Sequence, residues 1–293
     1  MDLPLSDPTL PSPPFHHCPG LPNLRDVGGY PLTVPTCPTT HSVRRGLLYR
    51  SADPSRIPSQ GLSLLRDELN IRTVFDLRSV PEIQRVGAFY SAGDSEQVKK
   101  QKGVERVWTP VFREEDYSPE KVGVRYKAYT RGSEGFREAY RDILAGAGEA
   151  YAVIFRHLAG GTGEGKGQGG QAGTLVHCTA GKDRTGVLVA VLFGLLGVEK
   201  GRICEEYALT DRGLGLMKPV FKERLLRNEA LKGNEEGVES MIGSRAENMR
   251  VTLELIDELY GGAEGYLRKV VGLTDGEIEG LRRNFGSEEE PVL

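Results

Sequence analysis

Thr174-Leu175-Val176-His177-Cys178-Thr179-Ala180-Gly181-Lys182-Asp183-Arg184-Thr185-Gly186, running on into Val187-Leu188-Val189-Ala190-Val191-Leu192-Phe193-Gly194-Leu195-Leu196, decides how the chain is folded. Thr174 to Val176 read as a short buried strand, and the run after Gly186 is long and apolar enough for a buried helix. Five residues separate Cys178 from Arg184, so the two sit across a loop at a strand-to-helix junction. Backbone N–H groups at a helix start lack intrahelical partners and lie at the positive end of the helix dipole, which lets such a loop cradle a phosphate. The same field favours a thiolate, making a cysteine so placed a nucleophile. Arg184 brings a planar fork of donors suited to two phosphate oxygens. Thr185 offers a hydroxyl to the sulfur, and nothing in the loop calls for a metal. A structural cysteine at a strand end would account for Cys178 alone, but not for Gly181, Arg184, Thr185 and Gly186 at their offsets. A Walker-type loop requires Ser or Thr after its Lys; here Asp183 follows Lys182.

His-Cys-x5-Arg-Thr-Gly at 177–186 resembles the signature of cysteine-dependent protein tyrosine phosphatases. The fuller His-Cys-Thr-Ala-Gly-Lys-Asp-Arg-Thr-Gly is similar to the atypical tyrosine/serine phosphatases of bacteria and fungi, some of which also hydrolyse phosphoinositides. Leu21-Pro22-Asn23-Leu24-Arg25-Asp26-Val27-Gly28-Gly29-Tyr30 resembles the entry segment of the same family. Asp76-Leu77-Arg78-Ser79 with Glu82 resembles a second segment, and Gly261 to Leu267 the closing pattern. The resemblance spans about residues 21–285.

At 293 residues and 32.1 kDa the chain can bury a full core, and one domain with decorations is expected. A net charge of −3 gives no global attraction to nucleic acid. No stretch reaches the roughly 18 apolar residues of a membrane span, and the Pro-rich N-terminus lacks the layout of a signal peptide. A cytoplasmic location is therefore the default expectation. Cys18, Cys37, Cys178 and Cys204 show neither disulfide nor zinc spacing. His16, His17 and Cys18 form only a weak metal signal, and no cofactor or metal is expected.

Residues 1–20 read as an extended, poorly ordered Pro-rich arm, 21–286 as the domain and 287–293 as an acidic tail. Gly46–Ala52, Ile71–Ser79 and Val104–Val111 read as strands, and Gln60–Glu68 as a helix. Glu114 to Glu120 reads as an acidic loop. From Phe136 to Leu158 the spacing is helical with a break near Gly146 and Gly148. Residues 160–173 contain eight glycines in fourteen positions and read as a disordered insert. The segment 212–245 is amphipathic and broken by Pro219, Gly233, Gly237 and Gly243; the resemblance implies helices that cover the site, against a plain helical subdomain. Thr274 and Glu277 form a capping box for a last helix to Phe285.

The expected fold is α/β: a central, largely parallel sheet flanked by helices, protein tyrosine phosphatase-like, with a helical lid insertion. The expected reaction is metal-independent phosphomonoester hydrolysis through a phosphocysteine. Cys178 attacks; Thr179, Ala180, Gly181, Lys182, Asp183 and Arg184 hold the phosphate; Thr185 helps the second step; His177 shapes the loop. For the proton donor the resemblance implies Asp183, with Asp116 on the acidic loop as the alternative, while Asp142 falls inside a predicted helix. Lys182 suits a second phosphate, as on a phosphoinositide, or general electrostatic support. Asp76 and Arg78 either brace the loop or form a surface ion pair. Protein-tyrosine or dual-specificity activity is the first expectation, phosphoinositide or inositol (pyro)phosphate hydrolysis the second. A sulfurtransferase, an arsenate reductase or an inactive phosphate-binding module are the readings of other classes.

Overall fold

Gly173–His177 is buried at every position and runs down the middle of the main sheet. The computed structural model describes residues 7–33, 40–87, 103–112, 119–160 and 172–293. In chain order its strands are β1 (Arg25–Asp26), β2 (Ser42–Val43), β3 (Leu48–Ser51), β4 (Ile71–Asp76), β5 (Glu105–Trp108), β6 (Gly173–His177) and β7 (Gly286–Ser287). The helices are α1 (Ser59–Ser63, continued by a π turn), α2 (Val80–Val86), α3 (Pro119–Tyr129), α4 (Gly132–Gly146), α5 (Gly148–Gly160), α6 (Asp183–Leu196), α7 (Lys200–Gly213), α8 (Lys218–Leu226), α9 (Glu235–Ile242), α10 (Ala246–Tyr260), α11 (Ala263–Tyr266) and α12 (Asp275–Phe285).

The five-stranded sheet has the order β1-β3-β6-β4-β5. β3, β6, β4 and β5 are parallel, and only the edge strand β1 is antiparallel. The register aligns Ser51, His177 and Asp76 across the carboxyl ends of β3, β6 and β4, the end of an open α/β sheet where sites form. α6 is buried along nearly its whole length, as a helix apolar on all faces must be. It stops at Gly197, whose φ of 85° closes the last turn in the left-handed region.

Three expectations are corrected here. Residues from about Phe15 onward are not a loose arm: Phe15 and Cys18 are each 1% exposed, and Phe15 bridges Arg25. An edge strand carries unpaired backbone groups, and Pro14 O and His16 N supply partners for Asp26 N and Leu24 O. The glycine-rich span is narrower than its composition suggests, since α5 continues through Gly160 and β6 begins at Gly173; residues 161–171 lie outside the described residues. Pro119 and Glu120 open α3 rather than closing a loop; Asp116 and Cys37 lie outside the described residues. The C-terminal tail is tied down, with Ser287 paired to Ser42 and Val292 N donating to Gly29 O at 3.0 Å.

α8 and α9 carry a small core of their own, Leu225, Leu231, Val238 and Ile242. The Asp211 carboxylate, at the end of α7, fastens both feet of this insertion: it accepts from Ser244 N at 2.8 Å and from Lys218 Nζ at 2.7 Å.

Candidate active site

The loop between β6 and α6 is held from outside by its carbonyls. Cys178 O accepts from His177 Nδ1 at 3.0 Å, Thr179 O from Asp53 N at 3.2 Å, and Ala180 O from Asn23 Nδ2 at 3.1 Å. Gly181 O and Lys182 O accept from Arg50 Nη2 at 2.6 and 3.3 Å. The N–H groups of Thr179 to Lys182 bond no protein acceptor among the described residues. Buried backbone groups are almost always paired, so a loop with satisfied carbonyls and unsatisfied donors is built to receive an anion. Gly181 makes the turn with φ +64°, and a Cβ there would fall 2.0 Å from Ser51 O; only glycine fits.

Arg50 is in turn held by Glu206 on α7. Glu206 accepts from Arg25 Nε at 2.7 Å and from Arg50 Nη1 at 2.5 Å, all three side chains being essentially fully buried. Arg25 also donates to Asn23 Oδ1 and to Thr210 Oγ1. The entry segment of the sequence therefore acts as the loop's underframe. Its chemistry was not read from the sequence, where Asn23 and Arg25 are marked only by resemblance and Arg50 and Glu206 by nothing but their type.

A second frame lies under β4. Asp76 and Arg78 are both buried, which excludes the surface ion pair. Asp76 accepts from Arg78 Nε and Nη2 at 2.9 and 2.8 Å and from Arg106 Nη2 at 2.7 Å. Burial alone would raise the Asp76 carboxyl, but its cationic neighbours outweigh it and hold it below the usual carboxylate range. Arg78 reaches Asp53 at 2.6 Å, whose N–H holds Thr179 O. Burial also lowers His177, against the pull of Asp76. A neutral imidazole that donates to a backbone carbonyl is a support for the loop.

Arg184 points into the same cavity as Cys178. Its Nη1 and Nη2 each donate to a different oxygen of Glu82 at 2.7 Å, and Glu82 is fixed by Ser79 N and Oγ, both at 3.0 Å. Thr179 Oγ1 donates to Glu82 as well. Asp183 opens α6 and lines the cavity; its Oδ1 accepts from Tyr140 OH at 2.7 Å. Thr185 is fully buried, and its Oγ1 has no hydrogen-bond partner among the described residues, Cys178 Sγ included. Cys18 and Cys204 are pushed up by burial to about 12 and about 11, as inert thiols are.

Lys182 makes contacts that its place in the loop does not foretell. Its Nζ donates to Met241 O at 2.5 Å and to Gly243 O at 3.1 Å, and lies 4.8 Å from the Phe136 ring centroid. The carbonyls closing α9 carry the negative end of its dipole and attract the cation, so the ammonium ties the loop to the helical insertion while its side chain lines the cavity. Charge-assisted bonds of this kind contribute about 1.5–3 kcal/mol. Lys182→Met should accordingly raise amide hydrogen exchange across 240–245 by about tenfold or more; exchange unchanged from wild type would show that the contact does not hold the insertion.

The cavity has a volume of about 320 Å³. It is lined by Cys178 and Arg184, by Phe112, Tyr126 and Tyr129, and by Leu214, Phe221, Leu225, Met241 and Ile242 of the segment that carries the insertion. Among the described residues no group of three or more His, Cys, Asp or Glu could hold a metal ion, and no helix is long and apolar enough to cross a membrane.

A parallel sheet whose central strand delivers a cysteine into an anion-binding loop, with an arginine closing it, defines the protein tyrosine phosphatase-like class. The chain belongs to the tyrosine phosphatase family, whose model matches residues 16–286, and it is thus a hydrolase of phosphomonoesters. It is 26% identical over 293 residues to the triple specificity protein phosphatase PtpB of Mycobacterium tuberculosis, covering 90% of this chain and 96% of that one. It is 32% identical over 164 residues to a tyrosine-protein phosphatase of Nostoc commune, covering 55% and 52% respectively.

Proposed function

We propose that the chain is a protein-tyrosine or dual-specificity phosphatase that works through a phosphocysteine and needs no metal. The observation that carries this reading is the loop whose carbonyls are all tied outward around Cys178 while Arg184 is clamped in the same cavity. The Cys178 thiolate attacks phosphorus; the S–P bond forms as the P–O bond to the leaving group breaks, and the departing oxygen takes the proton of Asp183. Water then attacks phosphorus, giving its proton back to Asp183, and the S–P electron pair returns to sulfur. Thr185, whose buried hydroxyl is unpaired and does not bond Cys178 Sγ as the loop stands, rotates to donate to the departing thiolate. The loop N–H groups and the Arg184 fork carry the equatorial charge. The aromatic side chains of Phe112, Tyr126 and Tyr129 in the cavity lining suit a phenyl ring, which favours phosphotyrosine, and α8 and α9 act as the lid over it.

A second reading, hydrolysis of phosphoinositides or inositol phosphates, is favoured by Arg85 and Arg224. Both line the cavity and pair with no carboxylate among the described residues, so a second anionic group would find partners there. The sulfurtransferase, arsenate reductase and idle-module readings have no such feature behind them.

The test is phosphate release, without added metal, by wild type and Cys178→Ser across phosphotyrosine and phosphoserine peptides, phosphoinositides and inositol pyrophosphates. Loss of about 10⁴-fold or more is expected in the variant, as for removal of a covalent nucleophile, with phosphotyrosine peptides the best substrates. Turnover surviving in Cys178→Ser would sink the mechanism, and a preference for inositol phosphates would shift the substrate to the second reading.

A further inference from the structure

Asp183 is asked to be an acid in one step and a base in the next, and must keep its place in both. It stands in the first turn of α6, with its Oδ1 3.4 Å from Lys182 Nζ. The same oxygen accepts from the hydroxyl of Tyr140, at 2.7 Å, and behind it is Tyr207 OH, at 2.8 Å, where either oxygen can be the donor. Both rings are buried, on α4 and α7. Burial and the nearby Asp183 charge push both phenols well above their usual value, so they stay neutral hydroxyls.

We propose that Tyr140 and Tyr207 form a hydrogen-bond relay that holds one oxygen of Asp183 in place in both of the protonation states its reaction requires. A neutral phenol has one donor and can also accept. The chain runs Tyr207 to Tyr140 to Asp183 Oδ1. Oδ1 accepts from Tyr140 both when the group is ionised and when it carries its proton on Oδ2, since the unprotonated oxygen of a carboxyl is still an acceptor. Oδ2 is then left to give a proton to the leaving oxygen or to take one from water, and the carboxyl keeps its geometry in both steps. Tyr140 and Tyr207 are thus positioning residues, touching no substrate. Tyr129 on α3 also faces this charge, but the contact to Asp183 Oδ1 belongs to Tyr140.

This proposal rests on the reading of Asp183 as proton donor, and the experiment separates the two. Wild type, Tyr140→Phe, Tyr207→Phe and Asp183→Asn are assayed on aryl phosphates running from a nitro-substituted phenol, which leaves without help, to unsubstituted phenol, which needs a proton. Tyr140→Phe keeps the ring and its packing, and an unchanged melting temperature checks that the fold is intact. Its kcat/KM should fall by about tenfold on phenyl phosphate and by less than about twofold on the nitrophenyl ester. In the steady state after the phenolate burst on the nitrophenyl ester, its kcat should fall by several-fold, because phosphocysteine hydrolysis then needs the base. Tyr207→Phe should shift both in the same direction but less. A parallel loss on all esters, or no loss, in Tyr140→Phe while Asp183→Asn shows the leaving-group dependence overturns the relay and leaves the acid in place. If Asp183→Asn itself shows no such dependence, the acid assignment falls and the relay with it.

Discussion

Glu206→Ala is expected to cost about 3–5 kcal/mol of stability, the range for stripping one partner from a buried ionic network. The carboxylate sits between Arg25 and Arg50 with all three side chains out of water, and the substitution leaves two guanidinium groups buried without their counter-charge. The change is readable as a lower urea midpoint at unchanged slope. Catalysis should fall with it, because Arg50, which holds Gly181 O at 2.6 Å, then loses its own anchor and the loop donors lose their common orientation. The network also has a pH signature. Burial raises the Glu206 carboxyl, but Arg25 and Arg50 outweigh it and the group lies below its usual 4.5. A depressed folded value means that its contribution is fully present above about pH 4.5 and is lost as pH falls through the lower, folded value. Glu206→Gln should therefore flatten the acid limb of the stability curve. A Glu206→Ala protein within about 1 kcal/mol of wild type would show that the three buried charges are not what holds the loop.

The strand-loop-helix junction was legible because several independent signals coincide within thirteen residues: an apolar strand, a cysteine, a glycine and an arginine at fixed offsets, then an apolar run. The parallel sheet followed from the same alternation of apolar runs. What could not be read is whatever depends on pairing across the chain. Glu206 is one acidic residue in an amphipathic stretch, and nothing local says that Arg25, 181 positions away in the chain, ends up against it. Tyr140 scans as a core aromatic at helical spacing, which it also is; its hydroxyl matters only because α4 crosses the start of α6. The contacts of Lys182 were illegible for a related reason. Its position in the loop fixes where its backbone lies, but its long side chain is drawn to the end of α9, whose location no sequence pattern gives. Likewise Pro-rich composition predicted freedom for residues up to 20, and the need of β1 for an edge partner overrode it from Phe15 onward.

Arg184→Lys is expected to lower kcat/KM by about 10²–10³-fold, the usual consequence of losing a preorganised donor at a developing charge, while leaving stability nearly unchanged. The positive charge survives, so the loss measures geometry. Glu82 bonds both terminal nitrogens of the guanidinium end-on and is fixed by Ser79, which makes the plane of the fork a property of the scaffold, set before substrate arrives. An ammonium on a flexible stem has no plane to fix and can meet phosphate oxygens only as a point charge. The Ser79-x-x-Glu82 pattern thus has two uses: it caps α2, and it aims Arg184. Separating them calls for Glu82→Gln, which keeps a side chain able to cap but removes the charge that holds the guanidinium. Its kcat/KM should fall by less than that of Arg184→Lys, and the double variant should lose little more than Arg184→Lys alone, because both act through one group. Losses that multiply in the double variant, or an Arg184→Lys enzyme within tenfold of wild type, would mean that the charge at this position is enough and that the clamp is incidental.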